Sequence, residues 1–372
     1  MPLLRTGMES RGDTWHFAMA VPERWQFLSG RLRQGLWIMV MLAMSATAWA
    51  QPFFSRGDAG WESYKSHFLL PEGRIIDTAN GNVSHTEGQG WGMYLAVQFQ
   101  DRETFDRLWQ WTEAHLARED VALYSWRYDP ASTPPVADIN NASDGDLFIA
   151  WALQLAADRW DDPRYRARAD QILDAVQDDL IVEVAGYRIL LPAMQGFRHP
   201  GYVNINLSYW VLPALRDFAA REPAGPWQSL IDSGARLLTL ARFGDHDLPA
   251  DWLRLSDSAR LAPAEKWPPR FGFENVRVPL YFTWGNRRDV DTLEEIARFW
   301  DTPLPPAWID VTTGEVAGYP LSEGGMAINS LLAGKPWEIP QQSAAGENYY
   351  SATLLMLARV AANQLSLSGS YP

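Results

Sequence analysis

Residues 140–153 read Asn140-Asn141-Ala142-Ser143-Asp144-Gly145-Asp146 and then Leu147-Phe148-Ile149-Ala150-Trp151-Ala152-Leu153. A polar stretch holding two carboxylates and a glycine opens into an unbroken apolar run. That pattern predicts a helix over 144–158 with acids at its threshold. Asp144 and Asp146 stand two apart, so on one helix they point in different directions. One can cap the helix while the other faces a cleft; a double N-cap is the plainer alternative.

Spacing near 3.6 residues continues on both sides of this stretch. Phe105, Leu108, Trp109, Thr112 and Leu116 form one stripe, and Tyr165, Ala169, Ile172, Leu173 and Val176 another. Trp227, Leu230, Ile231, Leu238 and Ala241 repeat it, as do Leu293, Ile296, Ala297 and Trp300. Asp162-Pro163, Pro226 and Asp291 mark starts, while Gly244 and Gly334 mark ends. Eleven helices are expected, near 59–70, 88–99, 102–117, 144–158, 162–178, 204–220, 226–242, 272–285, 291–301, 322–333 and 347–364. Tyr187 to Leu191 is the best strand candidate, as part of an edge hairpin. With no linker in sight, residues 51–372 read as one all-α domain, a closed toroid of helix hairpins.

Composition narrows the chemistry. The chain has 372 residues, a net charge of −13 and no cysteine, which excludes disulfides, thiolate metal sites and a cysteine nucleophile. An acidic balance argues against nucleic acid as a partner. Nineteen tryptophans favour a carbohydrate ligand only modestly, because Trp stacks on sugars but also fills cores. At the N-terminus, Leu36 to Ala50 is a short apolar run behind Arg31 and Arg33, ending Ala48-Trp49-Ala50. This reads as a secretory signal cleaved after Ala50, leaving 27 basic against 42 acidic residues. Fifteen residues fall short of the ~20 that span a bilayer, so no membrane anchor is expected after cleavage. A start at Met19 would give a leader of ordinary length. A periplasmic or secreted location follows.

No HExxH, GxSxG or glycine-rich phosphate loop is present, and no metal or cofactor is expected. Carboxylates among aromatics remain. Ser84-His85-Thr86-Glu87-Gly88-Gln89-Gly90-Trp91-Gly92-Met93 places Glu87 at a helix threshold beside three glycines, each costing ~1 kcal/mol against Ala in a helix interior. The glycines make sense if something approaches the backbone closely, as at an open barrel mouth; a dipole-stabilised cap is the bland reading. Arg270-Phe271-Gly272-Phe273-Glu274-Asn275-Val276-Arg277 sets Glu274 and Arg277 at i and i+3, an ordinary ion-pair spacing in an unusually apolar neighbourhood. A polysaccharide hydrolase needs such a set: one acid that keeps its proton and another, ionised, that activates water.

The segment Ala142 to Trp160 closely follows the signature of glycoside hydrolase family 8, and Ser84 to Met93 resembles that family's SxxEGxGxGM motif. Asn206-Leu207-Ser208-Tyr209 is similar to its NPSY segment, and Leu248 to Trp252 to its PDW turn. The resemblance runs from about Trp61 to Leu365, and within the family it is to endoglucanases that accompany bacterial cellulose synthases. It implies an (α/α)6 barrel, with Glu87 as general acid, Asp144 against the distorted sugar or as alternative base, and Tyr209 holding the catalytic water. Glu274 stands where the family carries an Asp base, one methylene or ~1.5 Å further out. Trp126 matches a sugar-stacking Trp, and Arg277, Trp91 and Tyr281 are expected to contact substrate as well. Asn275 is a candidate to orient the water beside Tyr209, whereas Trp109 and Trp227 read as core. The implied substrate is a β-1,4-glucan cleaved with inversion, with cellulose synthase components as possible partners. Chitosan, xylan or mixed-linkage glucan are the alternatives on the same fold, and a non-catalytic glucan-binding component of the export machinery is the alternative from another class.

Overall fold

The computed structural model describes residues 54–369; the expected signal and its cleavage point lie outside them. Among the described residues there are eleven α-helices. The first five are α1 (Ala59–Phe68), α2 (Thr86–Gln98), α3 (Arg102–Leu116), α4 (Ser143–Trp160) and α5 (Pro163–Asp179). There follow α6 (Leu212–Arg221), α7 (Trp227–Leu240), α8 (Arg277–Trp284), α9 (Thr292–Trp300), α10 (Glu323–Leu332) and α11 (Tyr349–Leu367). Each expected helix is present, but two begin later than their periodicity suggested. The sixth starts at 212 rather than 204, because Tyr202–Ile205 is drawn into a strand and Leu207–Tyr209 forms a 3-10 turn. Pro213 then sits in the first turn of α6, where its missing N–H costs nothing. Residues 272–276, expected as helix, form the turn that leads into α8.

Helix chemistry sorts the layers. Nearly every residue of α2, α4, α8 and α11 is buried, as befits helices that are apolar all round. By contrast α3, α5, α7 and α9 bury one stripe each and show charge on the other side. The buried helices form a ring: α2 packs on α4, α4 on α6, α6 on α8, α8 on α10 and α11, and α11 returns to α2 and α1. This closure is the expected (α/α)6 toroid. The Arg359 side chain, only 3% exposed, clasps the seam by bonding Asp58 Oδ2 (3.0 Å) and Gln341 Oε1 (3.0 Å). Trp61, Trp91, Trp210, Trp227 and Trp300 are fully buried, so much of the tryptophan content is core. Trp109, half-buried, packs edge-on to Tyr165.

Strands lie only in the connections. Short pairs join β1 (Ser84–His85) to β2 (Arg127–Tyr128) ahead of α2. The expected hairpin is β3 (Ile181–Val184) with β4 (Tyr187–Leu190), turned by Ala185 and Gly186, both at positive φ as a tight primed turn requires. A four-stranded antiparallel sheet was not expected: β5 (Arg198–His199), β6 (Tyr202–Ile205), β7 (Leu253–Ser256) and β8 (Leu261–Pro263), in that order. Last, β9 (Arg270–Phe271) pairs with β10 (Ile309–Asp310). Three of the segments that form the site, 84–87, 206–209 and 270–274, directly follow or begin in these strands.

Candidate active site

Glu87 is the second residue of α2, and the cap is made by its neighbour: His85 Nδ1 accepts the Gly88 N–H at 3.1 Å. The capping role once open to Glu87 is therefore taken, which leaves its carboxylate free for the interior of the ring. The glycines beside it serve helix packing rather than a ligand. A Cβ on Gly90 would lie 2.7 Å from Phe148 Cβ, and one on Gly145 would lie 2.2 Å from Thr86 Oγ1 and 2.8 Å from the Glu87 N. Glycine on both helices thus lets α2 and α4 cross with their backbones nearly touching, at the level of Glu87 and Asp144. Neither aspartate of α4 is the N-cap; that position is Ala142, with no side-chain bond. Asp146 instead accepts Asn141 Nδ2 (2.8 Å) and the Tyr124 N–H (3.2 Å), tying two loops together.

At the centre stands Arg277, the first residue of α8 and 2% exposed. Its Nη1 bonds Glu87 Oε2 and, at 3.1 Å, Asp144 Oδ2. Its Nη2 bonds Glu274 Oε2 and Ser208 Oγ, the latter at 3.0 Å. Carboxylates from α2, α4 and the turn before α8 thus meet on one guanidinium, with Glu87 and Glu274 on different nitrogens. Asn206 Nδ2 reaches the Glu274 carboxylate at 3.3 Å. The Tyr209 ring faces the Arg277 guanidinium at 5.7 Å.

One cation cannot balance three carboxylates, of which Asp144 is buried and Glu87 and Glu274 are partly buried, so the site favours the protonated form of some of them. Burial, reinforced by the negative charges of Asp251 and Asp144, pushes Glu274 up to about 8. Burial likewise pushes Asp144 up to about 7 and Asp146 up to about 7. Such a cluster can keep one carboxyl protonated while another is ionised, which is what acid–base cleavage of a glycosidic bond demands. Among the described residues no group of His and carboxylate side chains is arranged to hold a metal ion.

Comparison with known proteins bears on this arrangement. The sequence profile of the glycosyl hydrolases family 8 matches residues 30–364. An endoglucanase of Cellulomonas uda is 42% identical over 295 residues, covering 78% of this chain and 80% of its own. A probable endoglucanase of Novacetimonas hansenii is 36% identical over 322 residues, 85% of this chain and 94% of its own. The crystal structure of an endoglucanase from Klebsiella pneumoniae, a family 8 glycosyl hydrolase, matches with a TM-score of 0.79 at 43% identity, covering 82% of this chain and 98% of that one. The chain belongs to glycosyl hydrolase family 8.

In this family 8 hydrolase the residues expected from sequence fall into two sets. Glu87, Asp144, Glu274 and Tyr209 converge on Arg277, although they lie up to 190 positions apart. Trp126 is partly exposed, with its Nε1 fixed by Asp138 Oδ2 at 2.9 Å and the Arg127 guanidinium 5.9 Å from its ring. Trp91 and Tyr281, expected to touch substrate, are fully buried, with the Trp91 ring 5.9 Å from the Arg277 guanidinium. Arg277, also expected to touch substrate, is 2% exposed and turns its Nη donors to Glu87, Asp144, Glu274 and Ser208. Asn275, a candidate for orienting water, is wholly buried and gives its amide N–H to the Pro249 carbonyl at 3.0 Å. Sequence reading assigned no role to Asn206, Ser208 or Asp251, although the NLSY and PDW-like segments signalled their neighbourhood. It also missed an aromatic wall in the loops that flank the unexpected sheet. Trp252 and Trp267 stack at 4.5 Å with Phe197 parallel to both, and Trp252 meets the Tyr209 ring edge-on at 6.0 Å. All three are partly exposed.

Proposed function

We propose that this protein is an endo-β-1,4-glucanase that cleaves cellulose chains by single displacement, with inversion at the anomeric carbon. Glu87 donates the proton to the leaving oxygen, and Glu274 activates the water. The observation that carries the reading is the pair of carboxylates held on separate nitrogens of the buried Arg277, from two different elements. Asp144, whose carboxylate shares Arg277 Nη1 with Glu87, takes the sugar whose bond is cut. Partly exposed aromatics, Trp126 and the Phe197–Trp252–Trp267 wall, suit the flat apolar faces of an extended glucan. The endoglucanase relatives support the same substrate class.

Proton NMR of the first product decides the stereochemistry: inversion gives the α anomer before mutarotation, and a β product overturns the assignment. Glu274→Gln should abolish hydrolysis of every substrate, activated or not, because water attack is needed whatever leaves. Reducing-sugar release from carboxymethylcellulose against chitosan, xylan and mixed-linkage glucan fixes the substrate. Binding to cellulose without any release would favour the non-catalytic role.

Export, and action beside a cellulose synthase, belong to the same proposal. The basic flank, the short apolar run and Ala48-Trp49-Ala50 support a periplasmic or secreted enzyme beginning at Gln51. N-terminal mass spectrometry of the exported protein tests this; an intact 36–50 segment would refute it.

A further inference from the structure

The turn Leu248–Trp252 and the loop Arg270–Asn275 are cross-tied by four hydrogen bonds that bracket Glu274. Asp251 Oδ1 accepts the backbone N–H groups of Gly272 (3.1 Å) and Asn275 (2.9 Å), the residues two before and one after Glu274. The Asp251 N–H donates to the Arg270 carbonyl at 2.6 Å, and Asn275 Nδ2 donates to the Pro249 carbonyl. Asp251 is buried and makes no ion pair among the described residues, whereas the Glu274 carboxylate in front of it reaches Arg277. Gly272 has no room to change: a Cβ there would lie 2.6 Å from Trp308 Cβ. The loop is therefore braced by Trp308 on one side and by the Asp251 carboxylate on the other.

We propose that Asp251 is a positioning residue for hydrolysis: through the amides of Gly272 and Asn275 it holds the turn that presents Glu274, with an unpaired buried carboxylate set behind that turn. The proposal rests on the reading of Glu274 as the base. A neutral amide could accept the same two N–H groups at less desolvation cost; a carboxylate at this position adds a charge that a merely structural clamp does not need. The groups facing Glu274 are Asp251 from the turn, Asp144 from α4, Arg277 and Tyr281 from α8, Glu87 through Arg277 from α2, Tyr350 from α11, and Asn206, Ser208 and Tyr209 from the 206–209 segment. Arg270 faces Asp251 itself, which burial raises to about 6. Of the anionic groups, Asp251 is the one that makes no contact with Arg277, so its charge is the least screened by that cation.

The test compares pH profiles of kcat/KM on a soluble cellulose derivative for the wild type, Asp251→Asn, Asp251→Glu and Glu274→Gln. Asp251→Asn retains an oxygen for both N–H groups and removes the charge. Its acid limb should move to lower pH by about half a unit or more, since the base then ionises more readily. Asp251→Glu keeps the charge but displaces the turn, so it should hold the limb in place and lose ~10-fold or more in kcat. A profile for Asp251→Asn that superimposes on the wild type, with Glu274→Gln inactive, overturns the proposal. Turnover retained by Glu274→Gln overturns the base assignment instead. Should Asp251→Asn not fold, Asn275→Ala cuts the tie to Pro249 alone. It should lower kcat several-fold with KM unchanged, and an unchanged kcat would refute the clamp.

Discussion

At the scale of single residues, Arg277 decides most. Removing it leaves Asp144 buried and Glu87 and Glu274 partly buried without their cation, and breaking a buried pair from one side costs ~3–5 kcal/mol. The loss depends on pH in a definite direction. Glu274 and Asp144 have folded-state values raised to about 8 and about 7, so the folded state binds more protons than the unfolded one. Their contribution is fully present below the unfolded carboxylate range near ~4 and is lost as pH rises through 7 to 8. Arg277→Met should therefore unfold more easily at pH 8 than at pH 5, by a margin larger than the wild type shows; denaturant titration at both values measures it. Catalysis carries the same signature. The acid limb of kcat/KM should lie near neutrality rather than near pH 4, because it reports ionisation of the free enzyme's base. Glu87→Gln should lose ~10²–10⁴ in turnover on cellulose yet retain activity on a substrate whose leaving group needs no proton. Equal losses on both substrates would move the acid elsewhere.

Among elements, the crossing of α2 and α4 shows how local and tertiary preferences compete. Helix propensity alone favours Gly145→Ala by ~1 kcal/mol, but the new Cβ would press on Thr86 and the Glu87 amide. Overpacking of this kind costs ~1–3 kcal/mol, so the clash should win. The variant is expected to melt at lower temperature and to show reduced kcat, because the strain falls on the first turn of the helix that carries Glu87. A rise in melting temperature would show that the crossing has slack. The glycines at 88, 90 and 92 were visible in the sequence as helix-costing residues awaiting a reason. Their neighbours were not: the Tyr349 hydroxyl, Phe148 and Ile75 come from α11, α4 and the loop before β1.

On the scale of the whole molecule, the toroid is closed by the packing of α11 on α1 and α2, and by the Arg359 clasp. Asp58→Ala should cost ~3 kcal/mol, the low end for breaking a buried pair since Asp58 keeps some solvent, and hydrogen exchange should then rise first in α1 and α11. A uniform change in exchange would mean that the seam is not a separate unit. The eleven helices, the Asp162-Pro163 start, the Gly334 stop and the acid-bearing thresholds at 87, 144 and 274 were determined by the sequence itself, because each follows from burial periodicity or from the backbone chemistry of a few adjacent residues. Tertiary structure alone decided that Arg277 gathers Glu87, Asp144 and Glu274, that Trp91 and Tyr281 are fully buried, and that Asp251 stands behind the base. Those facts depend on contacts between segments up to 190 positions apart. Periodicity states which side of a helix is buried; only closure of the ring states what it is buried against.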